Sequence, residues 1–176
     1  MTATFHAPEP HPNAREPQLL HNARELAQRF PAAHRLRMQQ MYVQSFEAYR
    51  ELEARLGWPR DDLPSAMATF VIGNYMVYAD ADVPDEQFAV VAEQLRQTPA
   101  LLRTAASQSL QEQRSAFEQS AMVGVFMAMA RLSQKQQPQP AEQRAHLRES
   151  AAANLQQVLG VDPALLKVGT AGIEIR

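Results

Sequence analysis

The chain has 176 residues, of which 45% are hydrophobic and 20% are charged, and its formal net charge is −2. This balance is that of a single globular domain, long enough to bury a core without disulfides or structural metals. The chain has no cysteine, which excludes disulfide bonds and thiol catalysis. Its lysines are few and it has no run of basic residues, so we expect no nucleic-acid partner.

The first residues, 1–16, are rich in proline and histidine and have no apolar period, so we predict a disordered lead. This stretch has no apolar core of the kind a signal peptide requires. The longest apolar segments of the chain are shorter than the roughly 20 residues that a membrane-spanning helix requires. We therefore predict no membrane span.

Helical patterns follow one another through the rest of the chain. Proline, aspartate and serine residues stand at the predicted helix starts, and glycine at two of the ends. The predicted helices are 17–30, 31–56, 64–78, 84–98 and a short turn at 99–105, then one from Ser107 or Ser109 to about Ser133, and 140–159. We predict an all-α, single-domain bundle of about six helices over residues 17–169, with residues 170–176 as a tail.

Two segments, Ala66–Tyr78 and Ala121–Leu132, are apolar almost all the way round a helix. A helix of this kind has to be covered by other helices on every side, so these two should form the centre of the bundle. Each carries a glycine near its middle, Gly73 and Gly124. Because glycine inside a helix costs about 1 kcal/mol relative to alanine, we expect a close helix crossing there, or else a ligand against the bare backbone.

Polar side chains on the same two helices are candidate binding residues. Asn74 and Tyr78 are four residues apart and share a helix face, where they could bind a partner, order a water or satisfy each other. Glu118 follows Arg114 by four residues on the long helix, a spacing that predicts an ion pair. Such a pair matters for function mainly where it is partly buried.

The corner between the second and third predicted helices holds the single tryptophan of the chain, Trp58. Arg60 and Asp62 follow it, and a loop could present all three to a partner as a binding hot spot. The alternative is that Trp58 packs on the core as a corner residue. Asp62, with a proline two residues later, also fits the cap of a helix start.

No arrangement in the chain indicates catalysis, a metal or a cofactor. None of the five histidines belongs to an HExxH or ExxH pair, and glycine-rich phosphate loops and nucleophile elbows are missing from the sequence. An enzyme would have to bring Asp62, Tyr78 and Glu118 together in one cleft. We therefore predict no catalytic residues, no metal and no cofactor.

Three stretches resemble a bacterial family of unknown function. They begin at Met41 (MYVQSFEAYRELEARLGWPRDDLPSAMATFVIGNYMVY), Gln111 (QEQRSAFEQSAMVGVFMAMA) and Arg148 (RESAAANLQQVLGVDP). The resemblance implies a small, exported, all-helical protein and supplies no catalytic residues. It implies a periplasmic or exported location, although the chain shows no signal sequence and a cytoplasmic location stays open.

Three classes of function remain. The first is a non-catalytic protein that binds a protein partner, such as a periplasmic immunity protein that inhibits a secreted toxin, or an accessory protein of a secretion system. The second is a bundle that holds an apolar small ligand among its methionine-rich helices. The third is a carboxylate-dependent enzyme. We favour the first, with Trp58, Arg60, Asp62, Asn74, Tyr78 and Glu118 as its candidate binding residues.

Overall fold

The computed structural model describes residues 16–176. Nearly all of the predicted disordered lead, residues 1–15, lies outside this part. The described chain forms seven α-helices, two short 3-10 turns and one two-stranded sheet. The prediction of an all-α single domain is confirmed.

The helices begin and end close to the predicted residues. They are α1 (Glu16–Ala27), α2 (Arg35–Arg55), α3 (Leu63–Ala79), α4 (Asp85–Arg96), α5 (Pro99–Ser107), α6 (Leu110–Gln136) and α7 (Ala141–Leu159). Of the two serines proposed to start the long helix, Ser109 is the cap. Its hydroxyl accepts from the Glu112 backbone N–H and the Glu112 carboxylate accepts from the Ser109 N–H, which completes a capping box.

Helices α3 and α6 form the centre of the bundle, and they cross at the two predicted glycines. A Cβ atom at Gly73 would overlap the carbonyl oxygen of Gly124, and one at Gly124 would lie 2.5 Å from the backbone nitrogen of Phe70. No other residue type fits this crossing without moving a backbone. The close-crossing interpretation is confirmed, and the second helix occupies the space in which a ligand would have lain.

The other helices cover this pair on several sides. Helices α1 and α2 pack on α6 through a cluster of apolar and aromatic side chains that includes Tyr42, Phe46, Tyr49 and Phe117. Helix α4 packs on α3 through a second cluster, and α7 packs on α3 beside Leu155. The predicted arrangement of outer helices around two apolar ones is therefore present.

The C-terminal residues differ from the prediction. Residues 170–176 were expected to form a tail, but strands β1 (Leu166–Gly169) and β2 (Gly172–Ile175) pair as an antiparallel hairpin. The side-chain amide of Gln94 on α4 donates to the carbonyl of Ile173 at 2.9 Å and accepts from its N–H at 2.7 Å. Since Val168 is buried against the α3–α4 cluster, the hairpin is part of the fold.

Candidate functional site at the α5 end of the bundle

One end of the bundle brings together the end of α2, the start of α3, the end of α4, helix α5 and the start of α6. Arg96, at the end of α4, donates to the carboxylate of Asp62 at 2.6 Å, which ties α4 to the cap of α3. The rings of Tyr49 on α2 and Phe117 on α6 lie edge to face with centroids 5.7 Å apart. Asp62 is one of the predicted binding residues, and two others, Trp58 and Arg60, lie at the same end.

Trp58 forms the corner after α2. The chain turns at Gly57, whose φ of 65° suits glycine, and the Trp58 N–H donates to the carbonyl of Glu53 at 3.0 Å. The indole is half-buried, touches two of the core clusters and lies 6.5 Å from the Tyr49 ring. Trp58 therefore packs on the core, as expected from the alternative that it is a corner residue. Part of its side chain stays exposed to solvent.

A charged network fixes the loop after Trp58. Arg50 on α2 donates to both carboxylate oxygens of the buried Glu53, at 3.1 and 2.8 Å, and to Asp61 at 2.5 Å. The backbone N–H of Asp61 donates to Glu53 at 3.0 Å, and the φ of Asp61 is 61°. Because the buried carboxylate takes a donor from each side of the corner, the loop that carries Arg60 is held in one conformation.

Asp62 is the cap of α3, as its position before a proline predicts. Its carboxylate accepts from the Ser65 N–H at 3.1 Å and from Arg96. Arg96 also bonds Glu93 at 2.6 Å within its own helix. The carboxyl group of Asp62 is thus engaged in holding two helices together, and Arg60, two residues earlier, is exposed.

Helix α5 has no buried residue and is held by polar contacts and by the packing of Leu101. The Gln113 side chain on α6 donates to the carbonyls of Ala105 and Gln108, at 2.9 and 3.1 Å. Leu102 on α5 is 54% exposed and Leu110, at the start of α6, is 84% exposed. Leu101 is half-buried and touches the same core cluster as Trp58. We call the exposed parts of Trp58, Arg60, Leu101, Leu102 and Leu110 the corner surface.

The structure places Asn74 and Tyr78 away from this end, in separate contacts. Asn74 is fully buried, donates to the Phe70 carbonyl at 2.8 Å and accepts from Asn154 on α7 at 2.9 Å. Arg148 on α7 stacks on the Tyr78 ring, 5.0 Å from its centroid, and donates to the Tyr78 carbonyl at 2.9 Å. Both residues join α3 to α7, and these contacts satisfy the side-chain amide of Asn74.

Glu118 is also buried, with 2% of its side chain exposed. Its carboxylate accepts from Arg114 at 2.7 Å, as the spacing predicts, and from the Asn22 amide of α1 at 2.7 Å. A buried carboxyl group needs hydrogen-bond partners of this kind. Glu118 thus attaches α1 to α6.

The three groups required for the enzyme alternative do not meet. Asp62 and Tyr78 lie at opposite ends of α3, separated by about 24 Å along the helix axis. Each of the three side chains contacts a residue of a different helix. Asp62 contacts Arg96 of α4, Tyr78 contacts Arg148 of α7 and Glu118 contacts Asn22 of α1. In the described residues this arrangement forms no shared cleft.

Two surface concavities give little support to the apolar-ligand alternative. One of about 630 Å³ is lined by residues of 108–119, mostly serine, glutamine and glutamate, and one of about 510 Å³ by residues of 20–47. Both are open to solvent. The buried methionines, Met122 and Met127 among them, are packed within the core clusters.

The sequence interpretation did not identify the leucines of the corner surface. It recognised only a short helical turn at 99–105, although PALLRTAAS places two adjacent leucines in a helix too short to bury them fully. That pattern is the signal that could have found them. The Arg50–Asp61 and Arg96–Asp62 pairs carry no such signal, because Asp61 lies across a turn from Arg50 and Asp62 is 34 residues from Arg96. The pairs within one helix, Arg50–Glu53 and Glu93–Arg96, do have a local (i, i+3) spacing.

The seven helices and the hairpin of the described residues define the fold class as an all-α bundle with a small β-hairpin. The chain belongs to a family whose model matches residues 13–176 and whose description is "Family of unknown function (DUF6683)". This confirms the predicted membership of an uncharacterised family. No curated protein and no solved structure matches the chain. Across residues 16–176, every helix is too short or too polar to cross a membrane.

Proposed function

We propose that this protein is a non-catalytic, partner-binding protein and that the corner surface is its binding site. The observation that carries the proposal is helix α5, which exposes leucine on a helix with no buried residue. The Gln113 amide of α6 holds the end of this helix and Leu101 packs on a core cluster, whereas Leu102 is 54% exposed. Two leucines at this end, Leu102 and Leu110, are exposed, and an exposed apolar patch is a mark of interaction sites.

The surroundings of the leucines support the same conclusion. A protein interface has an apolar centre with a polar rim, and tryptophan and arginine are enriched among its hot spots. The corner surface offers leucine and part of an indole beside Arg60. Because the Arg50 network already fixes the loop, little conformational entropy would be lost on binding.

We propose a bacterial periplasmic setting for this activity, from the family resemblance of the three quoted stretches. In that setting the partner is a secreted toxin, which this protein inhibits as an immunity protein, or a component of a secretion system. The surface chemistry suits either role, because both depend on complementarity between two proteins and need no catalytic group.

The test is isothermal titration calorimetry with the toxin or secretion component encoded beside this protein. Leu110→Asp places a charge at the 84%-exposed leucine and should weaken binding by tenfold or more. The matched control is Leu36→Asp, because Leu36 is 69% exposed in the first turn of α2, at the other end of that helix from the corner.

Circular dichroism should show both variants folded. Equal loss of affinity in both variants, or no loss in either, would contradict the assignment of this surface. Hydrolytic or transfer activity of the purified chain alone would contradict the non-catalytic proposal itself.

A further inference from the structure

Helix α1 lies beside α6 and runs in the same direction. The side-chain amide of Gln18 donates to the Ser115 hydroxyl at 2.8 Å, and four residues later the Asn22 amide donates to the Glu118 carboxylate at 2.7 Å. Because the residue numbers rise together in the two helices, Glu16, the first residue of α1, is about level with residue 113 of α6. The N-terminal end of α1 therefore points toward the first turn of α6.

The larger of the two surface concavities lies at this place. It has a volume of about 630 Å³, and the described residues that line it belong to 108–119. Apart from Ala116, these residues are glutamine, serine and glutamate. Ser109 and Glu112 lie ahead of the start of α1, and Ser115 lies beside it. We call this concavity the α6 groove.

The second concavity has a different relation to α1. It is lined by Leu20 of α1 and by residues 39–47 of α2. Leu20 is four residues inside α1, so this concavity lies beside the body of the helix. Of the two, the α6 groove is the one in line with the chain that enters α1.

The residues that enter α1 have a chemistry that suits this groove. Residues 12–15 are Pro-Asn-Ala-Arg. Proline favours extended backbone at its own position and at the one before it, and an extended segment forms no internal hydrogen bonds. Its backbone groups need outside partners, which glutamine and serine side chains can provide as donors and acceptors.

Charge and the family match agree with this choice. Glu112 is the titratable residue among the described residues that line the α6 groove, and Arg15 carries the opposite charge. The family model starts at residue 13, three residues ahead of α1. The sequence that defines the family therefore includes residues that precede the first helix.

We propose that residues 12–15 bind in the α6 groove as a strap that joins the start of α1 to the first turns of α6. The glutamine and serine side chains of the groove bond the strap backbone and Asn13, and Arg15 pairs with Glu112. Four extended residues span about 12 Å. The rise of α6 from Leu110 to the level of Glu16 is only about 5 Å, so the strap is long enough. The folded domain then begins at residue 12, and its own chain fills the groove.

The first experiment is disulfide trapping in the full chain, which has no cysteine of its own. Asn13→Cys is combined with Gln111→Cys in the α6 groove, or with Glu47→Cys in the second concavity as the matched control. Positions 111 and 47 are both exposed. Under a mild oxidant the 13–111 pair should close about tenfold faster or more, because a disulfide requires Cα atoms within about 7 Å. Mass spectrometry with and without a reductant measures the closure.

Equal rates for the two pairs, or faster closure of the 13–47 pair, would overturn the proposal. A disulfide between two copies of the chain at position 111 would overturn it as well, because the groove would then bind the segment of a second copy.

The second experiment fills the groove. Ala116→Arg in the 13–111 pair places a long side chain where the strap binds, and it should slow closure about tenfold. Gln40→Arg in the same pair is the control, because Gln40 is exposed and lines the other concavity. Circular dichroism should show both variants folded. Closure at an unchanged rate in the Ala116→Arg variant would mean that the segment reaches position 111 without occupying the groove, which contradicts the strap.

Discussion

The hydroxyl group of Tyr49 is buried and has no hydrogen-bond partner in the described structure. Its ring packs against Phe46, Phe117 and Trp58 at the base of the corner. Burial raises the pKa of this phenol well above its usual value, and the carboxylate of Glu53 adds to the shift. Tyr49 thus contributes its ring to the core, and its hydroxyl is a destabilising element there.

Removing that hydroxyl should therefore leave the free energy of unfolding unchanged or raise it. Tyr49→Phe keeps the ring contacts and removes the unpaired polar atom, whereas Tyr49→Ala should cost about 3–5 kcal/mol by opening a cavity. Urea denaturation measures both. A loss of about 1 kcal/mol or more in Tyr49→Phe would mean that the hydroxyl has a partner, such as a bound water.

Tyr42 gives a prediction for alkaline pH. Burial raises its pKa to about 12, against a smaller opposing effect of Arg29. Above about pH 10 the unfolded chain loses this proton while the folded chain keeps it, so the free energy of unfolding should fall between about pH 10 and 12. Below pH 10 the group contributes its full stabilisation. Tyr42→Phe should show a shallower fall over this range in chemical denaturation at stepped pH, and an identical slope would contradict the assignment.

At the scale of elements, the crossing of α3 and α6 depends on two residues without side chains. Gly124→Ala places a methyl group 2.5 Å from the backbone of residues 69–70, so we expect a loss of about 1–3 kcal/mol or more. Gly169→Ala is the control, because a Cβ there meets its nearest atom at 3.9 Å. Thermal denaturation compares the two. Equal melting temperatures would contradict the close crossing.

Asp62 stabilises the start of α3 in two ways, as the helix cap and as the ion-pair partner of Arg96. Two substitutions separate these contributions. Asp62→Ala removes both the cap of α3 and the partner of Arg96, and it should cost about 1–2 kcal/mol. Asp62→Asn keeps the cap, because asparagine is as good a capping residue, and should cost less. If both variants lose the same stability by urea denaturation, the cap contributes little and the Arg96 pair accounts for the effect.

At the scale of the whole molecule, the sequence predicted the helices well because their signals are local. The caps at Asp62 and Ser109, and the glycines of the crossing, follow from neighbours within a few residues. The hairpin was missed because its anchor, the Gln94 amide, lies 79 residues away from Ile173. The corner surface was found only in part, since Trp58 and Arg60 stand out in the sequence and the exposure of Leu102 depends on how α5 is held.

The central claim is that the two exposed leucines of the corner surface, Leu102 and Leu110, are not needed by the fold. The most direct measurement is the melting temperature of the double variant Leu102→Gln, Leu110→Gln, in which glutamine keeps the helix propensity of leucine. Leu155→Ala, at a fully buried leucine, is the comparison and should lose about 2–5 kcal/mol. We predict that the double variant melts within about 2 °C of the unaltered chain. A fall as large as that of Leu155→Ala would show that the chain itself covers these leucines and would contradict the binding surface.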